Sequence, residues 1–348
     1  MNYQKYFENK TVLVTGGTGS IGSEIVRKLL NLKPKTVRIL SNSENELWES
    51  KLKFQEFSDK LRFLLGDIRN YERIRRAADN VDIIFNAAAI KHVPISEYNP
   101  MEAVNVNIHG LENVIEAAFD AEVEKLIHIS TDKAVNPTTV MGATKLLSER
   151  LCISRQLTRG VHTTTISCVR FGNVLGSRGS IVPLIKQQIN ESNYVTLTDL
   201  NMRRFFLSIS DAVDLVLKAA VLSDGGEIFV LKMPNLLIKD LIEVIIEEYS
   251  PKIGKNPKDI EIKLIGSREG EKIDEKLISS VEISSLYETE DMFIIYPKIF
   301  FEHNNSYEKN IKNGAKLIVD KDFRYSTDAI PLINKEQIRQ LLIKLNLL

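Results

Sequence analysis

The chain has 348 residues, of which 43% are hydrophobic and 26% charged, as in an ordinary globular protein of about two domains or one large one. This composition excludes collagen-like, disordered and small disulfide-rich proteins. The 46 basic and 46 acidic side chains balance, so the net charge gives no reason to expect a nucleic-acid or anionic-membrane partner. The two cysteines, Cys152 and Cys168, are too few for a zinc cluster or a disulfide framework, and they suit a reducing compartment.

The sequence contains no run of about 18 apolar residues that would mark a membrane span, and residues 1–10 lack the apolar core of a signal peptide. We therefore expect a cytoplasmic protein without a membrane span. The histidines show no spacing typical of metal ligands, so we expect no metal site. They are His92, His109, His128, His162 and His303.

The first half of the chain alternates short β-branched runs with longer segments of helical spacing. The predicted strands are residues 11–14, 37–40, 61–65, 83–86 and 125–130. The predicted helices are residues 23–32, 44–57, 71–78, 101–118 and 142–157. Strands that alternate with helices favour a parallel sheet covered on both faces, and right-handed crossovers make it a Rossmann-like, doubly wound α/β fold.

The second half of the chain is less regular. Strands at 167–170 and 228–231, with a helix at 211–222 between them, continue the alternation. The remaining predicted features are a helix at 237–248, a strand at 260–264, a charged run at 268–276, a hairpin-like stretch at 292–301 and a helix at 334–345. We predict a Rossmann domain of residues 1–172 plus about 207–231, and a smaller α+β region of residues 173–206 and 232–348.

A glycine-rich turn directly follows the first predicted strand and opens a helix. Its glycines have the spacing G-x-x-G-x-x-G, which allows a tight turn and close approach of the backbone to a pyrophosphate. The positive end of the helix dipole stabilises the phosphate charge. This position predicts dinucleotide binding through Gly16, Thr18, Gly19, Ser20, Ile21 and Gly22.

The ends of the next three strands supply further predicted cofactor contacts. Ser41 and Asn42 stand where an acidic residue would bind the ribose hydroxyl of NAD and a basic residue the 2′-phosphate of NADP. Both are neutral and able to donate hydrogen bonds, so we expect NADP, with NAD as the alternative. The contacts expected beside the adenine and the nicotinamide are Asp67, Ile68, Ala87, Ala88 and Ala89.

Several longer motifs are more specific than the glycine turn. They are TGGTGSIG, GDIRN, NAAAIKHVP, STDKAVNPTTVMGATK and RFGNVLGSRGS. With these motifs the chain resembles extended short-chain dehydrogenases/reductases and, more narrowly, the UDP-N-acetylglucosamine 4,6-dehydratases of bacterial polysaccharide and glycan synthesis. The resemblance runs from about residue 10 to about residue 276, and residues 287–348 carry no motif that we can match.

The sequence departs from the superfamily at its catalytic pair, which in most members is Tyr-x-x-x-Lys. This chain has Met141 and Lys145 at those two positions. Methionine cannot exchange a proton, but a subset of the dehydratases resembles this sequence in having methionine there. Thr131, Asp132 and Lys133 supply hydrogen-bonding and proton-handling groups after the fifth strand.

The resemblance implies oxidation of C4 of a UDP-linked hexose, elimination of water across C5 and C6, and return of the hydride to C6. The cofactor is then regenerated in each turnover and is expected to be tightly bound. By resemblance Thr131 hydrogen-bonds the 4-hydroxyl, Asp132 is the acid for the 6-hydroxyl and Lys133 is the base at C5. Lys145 is expected at the nicotinamide ribose, and Asp132, acting through water, is our candidate base for the 4-hydroxyl.

The resemblance also implies contacts to a UDP-sugar substrate. Arginine suits this role because its planar fork can bind phosphate oxygens in a bidentate manner. Residues expected at the sugar and diphosphate are Asn173, Arg178 and Ser180; those expected at the phosphate and the ribose or uracil are Arg204, Arg268 and Glu271. Lys91 is expected to face both cofactor and substrate.

Helices 101–118 and 142–157 lie where reductases of this kind often form a dimer interface, so we expect a homo-oligomer, a dimer or larger. Two alternative enzymes share the fold: a nucleotide-sugar 4-epimerase and a simple reductase, both of which rely on the missing tyrosine. A non-catalytic dinucleotide-binding regulator is the third alternative, although it has no use for the diphosphate-binding arginines. Retention or inversion at C5 is left open.

Overall fold

A computed structural model describes residues 3–297 and 315–348 of the chain. The chain divides into two compact units. Unit 1 comprises Met1–Phe171, Ala212–Lys232 and Ser279–Phe323. Unit 2 comprises Gly172–Asp211, Met233–Ile278 and Arg324–Leu348.

The strands of the described residues are short and spread along the whole chain. In chain order they are β1 (Thr11–Thr15), β2 (Thr36–Ser41), β3 (Leu61–Leu65), β4 (Ile83–Asn86), β5 (Lys125–Ile129), β6 (Thr165–Arg170), β7 (Asn173–Leu175), β8 (Tyr194–Leu197), β9 (Arg203–Ser208), β10 (Ile228–Leu231), β11 (Asn235–Leu237), β12 (Glu261–Leu264), β13 (Leu286–Glu288), β14 (Met292–Ile295) and β15 (Lys316–Leu317).

The helices alternate with the strands over the first half of the chain. They are α1 (Tyr3–Phe7), α2 (Ser20–Leu30), α3 (Glu44–Lys53), α4 (Tyr71–Ala78), α5 (Val93–Tyr98), α6 (Pro100–Val104), α7 (Leu111–Asp120), α8 (Val140–Leu157), α9 (Ile181–Glu191), α10 (Ile209–Leu222), α11 (Ile238–Tyr249) and α12 (Lys335–Lys344). A π-helical segment, Asn105–Gly110, joins α6 to α7. Within the described ranges, no helix combines the length and the apolar character needed to cross a bilayer.

Unit 1 is built on a sheet that has ten strands in the described part of the chain, in the order β15-β13-β14-β10-β6-β5-β4-β1-β2-β3. From β3 to β10 every pairing is parallel, whereas β13, β14 and β15 add antiparallel pairings beyond β10. The order reverses between β1 and β4, since β2 and β3 lie on one side of β1 and β4 to β6 on the other. Ligands of doubly wound sheets bind at this switch point, beyond the carboxyl ends of the strands. The predicted Rossmann-like fold is confirmed.

Burial explains why these segments form a parallel sheet covered by helices. All five residues of β1 and all four of β4 are buried, as expected for central strands with helices on both faces. Helix α2 buries Ile25, Val26 and Leu29 on one face, the spacing of an amphipathic helix that packs on a sheet.

Unit 2 has its own hydrophobic core. A three-stranded sheet in the order β11-β9-β7 and a parallel β12-β8 pair supply its strands. Helix α9 contributes Val182 and Ile185 to the core, α11 contributes Leu241 and Ile245, and α12 contributes Ile338. Helix α12 begins with a capping box in which Asn334 and Gln337 bond each other's backbone N–H groups.

Segment Ser279–Phe323 departs from the predicted division of the chain. The sequence pattern assigns residues 232–348 to the second region, but the structure groups the described residues of this segment, 279–297 and 315–323, with unit 1. The reason is that β14 pairs with β10 and β13 pairs with β14, so the segment extends the large sheet. The hairpin-like stretch expected at 292–301 is shifted: β14 falls within it, but its antiparallel partner β13 precedes it at 286–288, and residues 298–301 lie outside the described ranges.

Candidate active site

The glycine turn between β1 and α2 leaves no room for a side chain at Gly16 or Gly22. Gly16 has a φ of +61°, and a Cβ there would lie 2.8 Å from the backbone of Ala88. A Cβ on Gly22 would lie 2.2 Å from the Gly16 carbonyl oxygen. Helix α2 begins after Gly19 without a side-chain cap, which suits an anion at its N-terminus. The residues of the turn therefore fit the pyrophosphate of a dinucleotide.

Gly22→Ala is expected to weaken dinucleotide binding by at least about tenfold, which corresponds to about 1.4 kcal/mol, because the added methyl group forces the turn open. The dinucleotide content of the purified protein and calorimetric titration measure the effect. Gly254→Ala is the control: its φ of +75° makes a side chain there strained, but no atom of the described residues lies within 4 Å of the added Cβ and the position belongs to unit 2. Equal dinucleotide affinity in Gly22→Ala and the unmodified protein would contradict the assignment.

Three side chains meet at the carboxyl end of β2. Ser41 is buried, and its Oγ lies 2.9 Å from Thr18 Oγ1 in the glycine turn. Thr18 Oγ1 donates a hydrogen bond to Glu46 Oε2 at 2.6 Å. Glu46 is not among the residues that the motifs predict. The sequence feature that could have indicated Glu46 is Ser43, a typical N-cap residue. Because Ser43 caps α3, Glu46 lies in the first turn of that helix, close to the end of β2.

The predicted adenine contacts lie after β3. The Asp67 carboxylate accepts hydrogen bonds from the backbone and side chain of Arg69, and the Arg69 side chain holds the pKa of Asp67 below its usual value. Asn42 is exposed, with its Nδ2 3.5 Å from Asp67 Oδ2. Ile68 is buried. Asn42, Asp67 and Ile68 therefore lie just beyond the carboxyl ends of the adjacent strands β2 and β3.

A buried hydrogen-bond network joins β1, β4 and β5 near their carboxyl ends. Thr15 Oγ1 donates to Asn86 Oδ1 at 2.5 Å, and Asn86 Nδ2 lies 3.1 Å from His128 Nδ1. Burial, with a smaller contribution from the nearby Lys145 charge, lowers the pKa of His128 well below its usual value, so the imidazole is neutral. The backbone N–H of Ala88 lies 3.4 Å from Thr15 Oγ1, so the predicted alanine segment 87–89 contacts this hydrogen-bond network. Lys91, just beyond it, is exposed.

Asp132 stands at the centre of the predicted catalytic segment, in a 3₁₀ turn after β5. Its side chain is fully buried, and its Oδ1 accepts hydrogen bonds from Thr131 Oγ1 at 2.8 Å and from Lys133 Nζ at 2.9 Å. Its Oδ2 is buried and has no hydrogen-bond partner within the described residues. The side chain of Lys133 is 29% exposed, so the pair is not a solvated surface ion pair.

Helix α8 carries Met141 and Lys145 and packs against the 3₁₀ turn that contains Asp132. A Cβ on Gly142 would lie 2.5 Å from the Lys133 carbonyl oxygen, so only glycine lets the first turn of α8 pack this closely. Met141 is buried, and Lys145 Nζ donates to the Ile129 carbonyl oxygen at 2.8 Å. Burial lowers the pKa of Lys145 to about 8.

A cluster of buried ion pairs contacts the residue that precedes the catalytic segment. Arg170, at the end of β6, donates to both Glu149 carboxylate oxygens at 2.9 and 2.6 Å and to both Glu282 oxygens at 3.1 and 2.9 Å. Ser130 Oγ donates to Glu149 Oε1 at 2.6 Å. The cluster therefore links α8, one turn beyond Lys145, to the residue that precedes Thr131. The motifs do not predict Glu149 or Glu282 as part of this site.

In unit 2, two predicted substrate contacts have buried polar atoms without a hydrogen-bond partner among the described residues: Asn173 Oδ1 and Ser180 Oγ. Ser180 is also the N-cap of α9 and makes no side-chain cap bond. Arg178 is exposed. Unpaired buried polar groups are rare in proteins, so both atoms are suited to a polar ligand.

Arg204 differs from what its motif predicts. Its guanidinium is buried and donates to the carbonyl oxygens of Arg203, Ile273 and Lys272 at 2.7, 2.8 and 2.7 Å. In this arrangement it holds the backbone of the loop instead of presenting its fork to a phosphate. Within the same loop, Arg268 is exposed and its backbone N–H donates to the Glu271 carboxylate at 3.2 Å.

Residues 12–297 match the family model described as polysaccharide biosynthesis protein. Over 334 residues the chain is 40% identical to a UDP-N-acetylglucosamine 4,6-dehydratase (inverting) of Campylobacter jejuni subsp. jejuni serotype O:2, covering 95% of this chain and 96% of the relative. It is 53% identical over 343 residues to an uncharacterized membrane protein of Methanocaldococcus jannaschii, covering 99% and 98%. The solved structure of Pen from Bacillus thuringiensis has a TM-score of 0.91 and 41% identity, with 99% of each chain covered.

The fold and the residues gathered at its switch point define an extended short-chain dehydrogenase/reductase. The chain belongs to the polysaccharide biosynthesis protein family.

Proposed function

We propose that the protein converts UDP-N-acetylglucosamine to a UDP-linked 4-keto-6-deoxy-N-acetylhexosamine for surface glycan biosynthesis. The observation that carries this proposal is the buried Asp132 carboxylate, which contacts Lys133 at 2.9 Å and keeps a second oxygen without a partner in the described ranges. Epimerisation at C4 requires no acid and base at C5 and C6, whereas dehydration requires both. The 40% identity to a named dehydratase supports the same reaction.

The bound dinucleotide supplies reversible hydride transfer, so that C4 is a ketone while the C5 proton is removed. Lys133 and Asp132 handle the protons. The pair can exist as an ammonium beside a carboxylate or as a neutral amine beside a carboxylic acid. Both forms hold the same number of protons, and they differ only in the position of one proton along the 2.9 Å hydrogen bond. In the neutral form the Lys133 amine accepts the C5 proton, and Asp132 donates its proton to the departing 6-hydroxyl.

The proton count closes over one turnover. Lys133 returns its proton to C5 when C6 receives the hydride, which leaves the pair one proton short. The proton released from the 4-hydroxyl restores it. We assign this transfer to Thr131, because its Oγ1 donates to Asp132 at 2.8 Å and a hydroxyl can also accept a hydrogen bond, here from the 4-hydroxyl. Lys145, a buried cation one helical turn from Met141, favours loss of that proton nearby.

We infer that residues of unit 1 hold the dinucleotide and perform the chemistry. Asn173 Oδ1 and Ser180 Oγ, which have no hydrogen-bond partner among the described residues, support a polar contact to the sugar diphosphate. The N-terminus of α9, which has no side-chain cap bond, supports the same contact. Arg178, Arg268, Glu271 and Lys91 complete the proposed contacts, while Arg204 acts by fixing the loop at residues 272–273.

Mass spectrometry of purified protein incubated with UDP-N-acetylglucosamine tests the reaction. A dehydratase gives a product that has lost one water and keeps its UDP. An epimerase leaves the mass unchanged and instead alters the sugar stereochemistry, which NMR detects. A product of unchanged mass with a new C4 configuration would therefore overturn the proposal.

Met141→Leu is expected to keep the turnover rate within about tenfold, because methionine has no proton to exchange and the substitution nearly conserves volume. Met141→Ala is expected to keep substantial activity but to be less stable by about 2–5 kcal/mol, since Met141 is buried. Steady-state kinetics and thermal unfolding separate the two effects. A folded Met141→Leu protein that has lost all turnover would assign the thioether a chemical role.

A further inference from the structure

The carboxylate of Glu46 lies against the glycine turn, close to the end of the second strand. In doubly wound folds the 2′-position of the adenosine ribose lies at the end of the second strand. Ser41 is the last residue of β2, and Thr18 lies in the glycine turn. The Thr18 hydroxyl joins them, 2.9 Å from Ser41 Oγ and 2.6 Å from Glu46 Oε2.

The position of Glu46 is set by the local structure. Ser43 caps α3 by accepting a hydrogen bond from the Glu46 backbone N–H at 3.3 Å, which places Glu46 in the first turn of the helix. Thr18 is 8% exposed, so its bond to the carboxylate is sheltered from water. A sheltered hydrogen bond to a charged acceptor is stronger than an exposed one and holds the carboxylate in place.

The charge around this position disfavours a 2′-phosphate. A carboxylate accepts a hydrogen bond from a ribose hydroxyl but repels a phosphate. The arginine of the adjoining β3–α4 connection, Arg69, is already paired with Asp67 at 2.8 Å and Glu102 at 2.9 Å. Two carboxylates therefore already engage the Arg69 side chain.

We propose that Glu46 is a specificity-determining residue that makes NAD the preferred cofactor over NADP. This reverses the expectation drawn from Ser41 and Asn42, which considers only the two residues next to the strand. The inference rests on the dinucleotide-binding part of the proposed function and not on the sugar reaction.

A competition experiment tests the selectivity. Protein is incubated with equal concentrations of NAD⁺ and NADP⁺ and separated from free dinucleotide, and the bound dinucleotide is identified by mass spectrometry after denaturation. The unmodified protein is expected to retain NAD⁺ in excess by at least about tenfold. In Glu46→Gln the ratio of bound NAD⁺ to NADP⁺ is expected to fall by at least about tenfold.

Two further variants sharpen the result. Glu49→Gln removes an exposed carboxylate from the same helix and is expected to leave the ratio unchanged. Thr18→Val keeps the shape but loses the hydrogen bond to Glu46, so it should lower the ratio in the same direction even if Glu46→Gln folds poorly. An unmodified protein that retains mostly NADP⁺, or an equal ratio in all variants, overturns the inference.

The outcomes also separate this inference from the reaction. Protein that binds neither dinucleotide overturns both the selectivity and the cofactor assignment. Protein that selects NAD⁺ through Glu46 but leaves UDP-N-acetylglucosamine unchanged supports this inference and contradicts only the proposed reaction.

Discussion

Lys133→Ala is expected to lower the turnover of UDP-N-acetylglucosamine by about 10²–10⁴-fold, the range for loss of a positioned proton acceptor. The reason is that in the proposed reaction Lys133 removes the C5 proton while Asp132, whose Oδ1 lies 2.9 Å from Lys133 Nζ, protonates the 6-hydroxyl on the adjacent carbon. In D₂O the unmodified enzyme should place deuterium at C5 of its product. The variant should show much less, because no amine remains to exchange that proton.

Asp132→Asn keeps the side-chain shape and removes the acidic proton, so dinucleotide content should survive while turnover falls by a similar factor, about 10²–10⁴. Lys35→Ala removes an exposed lysine of unit 1 and is the control for a general change in charge. A Lys133→Ala enzyme with near-normal turnover and normal deuterium uptake would transfer the role of C5 base to another residue.

The first half of the fold can be predicted from sequence because each central strand is buried on both faces. Such strands appear as short apolar runs, and β4, which is fully buried, has the predicted bounds 83–86. The edge strand β3 also has its predicted bounds, 61–65, although Leu61 is its one buried residue. Strands β7 and β11 have three residues each and pair with β9, about 30 residues away in the chain. Short strands take their stability from such distant partners, so their own sequence gives little signal.

At the candidate site, too, contacts between neighbouring residues can be predicted from sequence, whereas contacts between distant residues cannot. Thr131, Asp132 and Lys133 are consecutive, so their contacts follow once the motif is recognised. Arg204 instead bonds carbonyl groups 68 and 69 residues later in the chain, and no local pattern reveals those partners. Glu46 is intermediate, since the Ser43 cap is visible in the sequence but its contact with Thr18 requires the fold.

The buried cluster of Arg170, Glu149 and Glu282 leads to the second large prediction. Arg170→Met is expected to lower the free energy of unfolding by about 3–5 kcal/mol, because it leaves two carboxylates buried without their cation. Burial alone would lower the pKa of Arg170, but the two carboxylates outweigh it and raise that pKa, so the guanidinium stays charged. Urea unfolding followed by circular dichroism measures the loss.

The size of the loss distinguishes this cluster from a surface ion pair. Arg27 pairs with Glu24 at 2.5 Å on the surface of α2, and Arg27→Met is expected to cost less than about 1 kcal/mol. A triple variant, Arg170→Met with Glu149→Gln and Glu282→Gln, removes the uncompensated charges and should regain much of the loss. An Arg170→Met protein as stable as the control variant would contradict a stabilising role for the cluster.

The pH dependence of the Arg170→Met loss follows from Glu282. Burial alone would raise the pKa of its carboxyl, but Arg170 outweighs burial and lowers it below the ordinary value of 4.5. A depressed carboxyl pKa contributes stability that is present above the unfolded value and is lost as the pH falls through the folded value. The stability difference between the unmodified protein and Arg170→Met should therefore be largest near neutral pH and should narrow below about pH 4. Because Ser130 and α8 share Glu149, the variant should also lose turnover at neutral pH while the surface control keeps it.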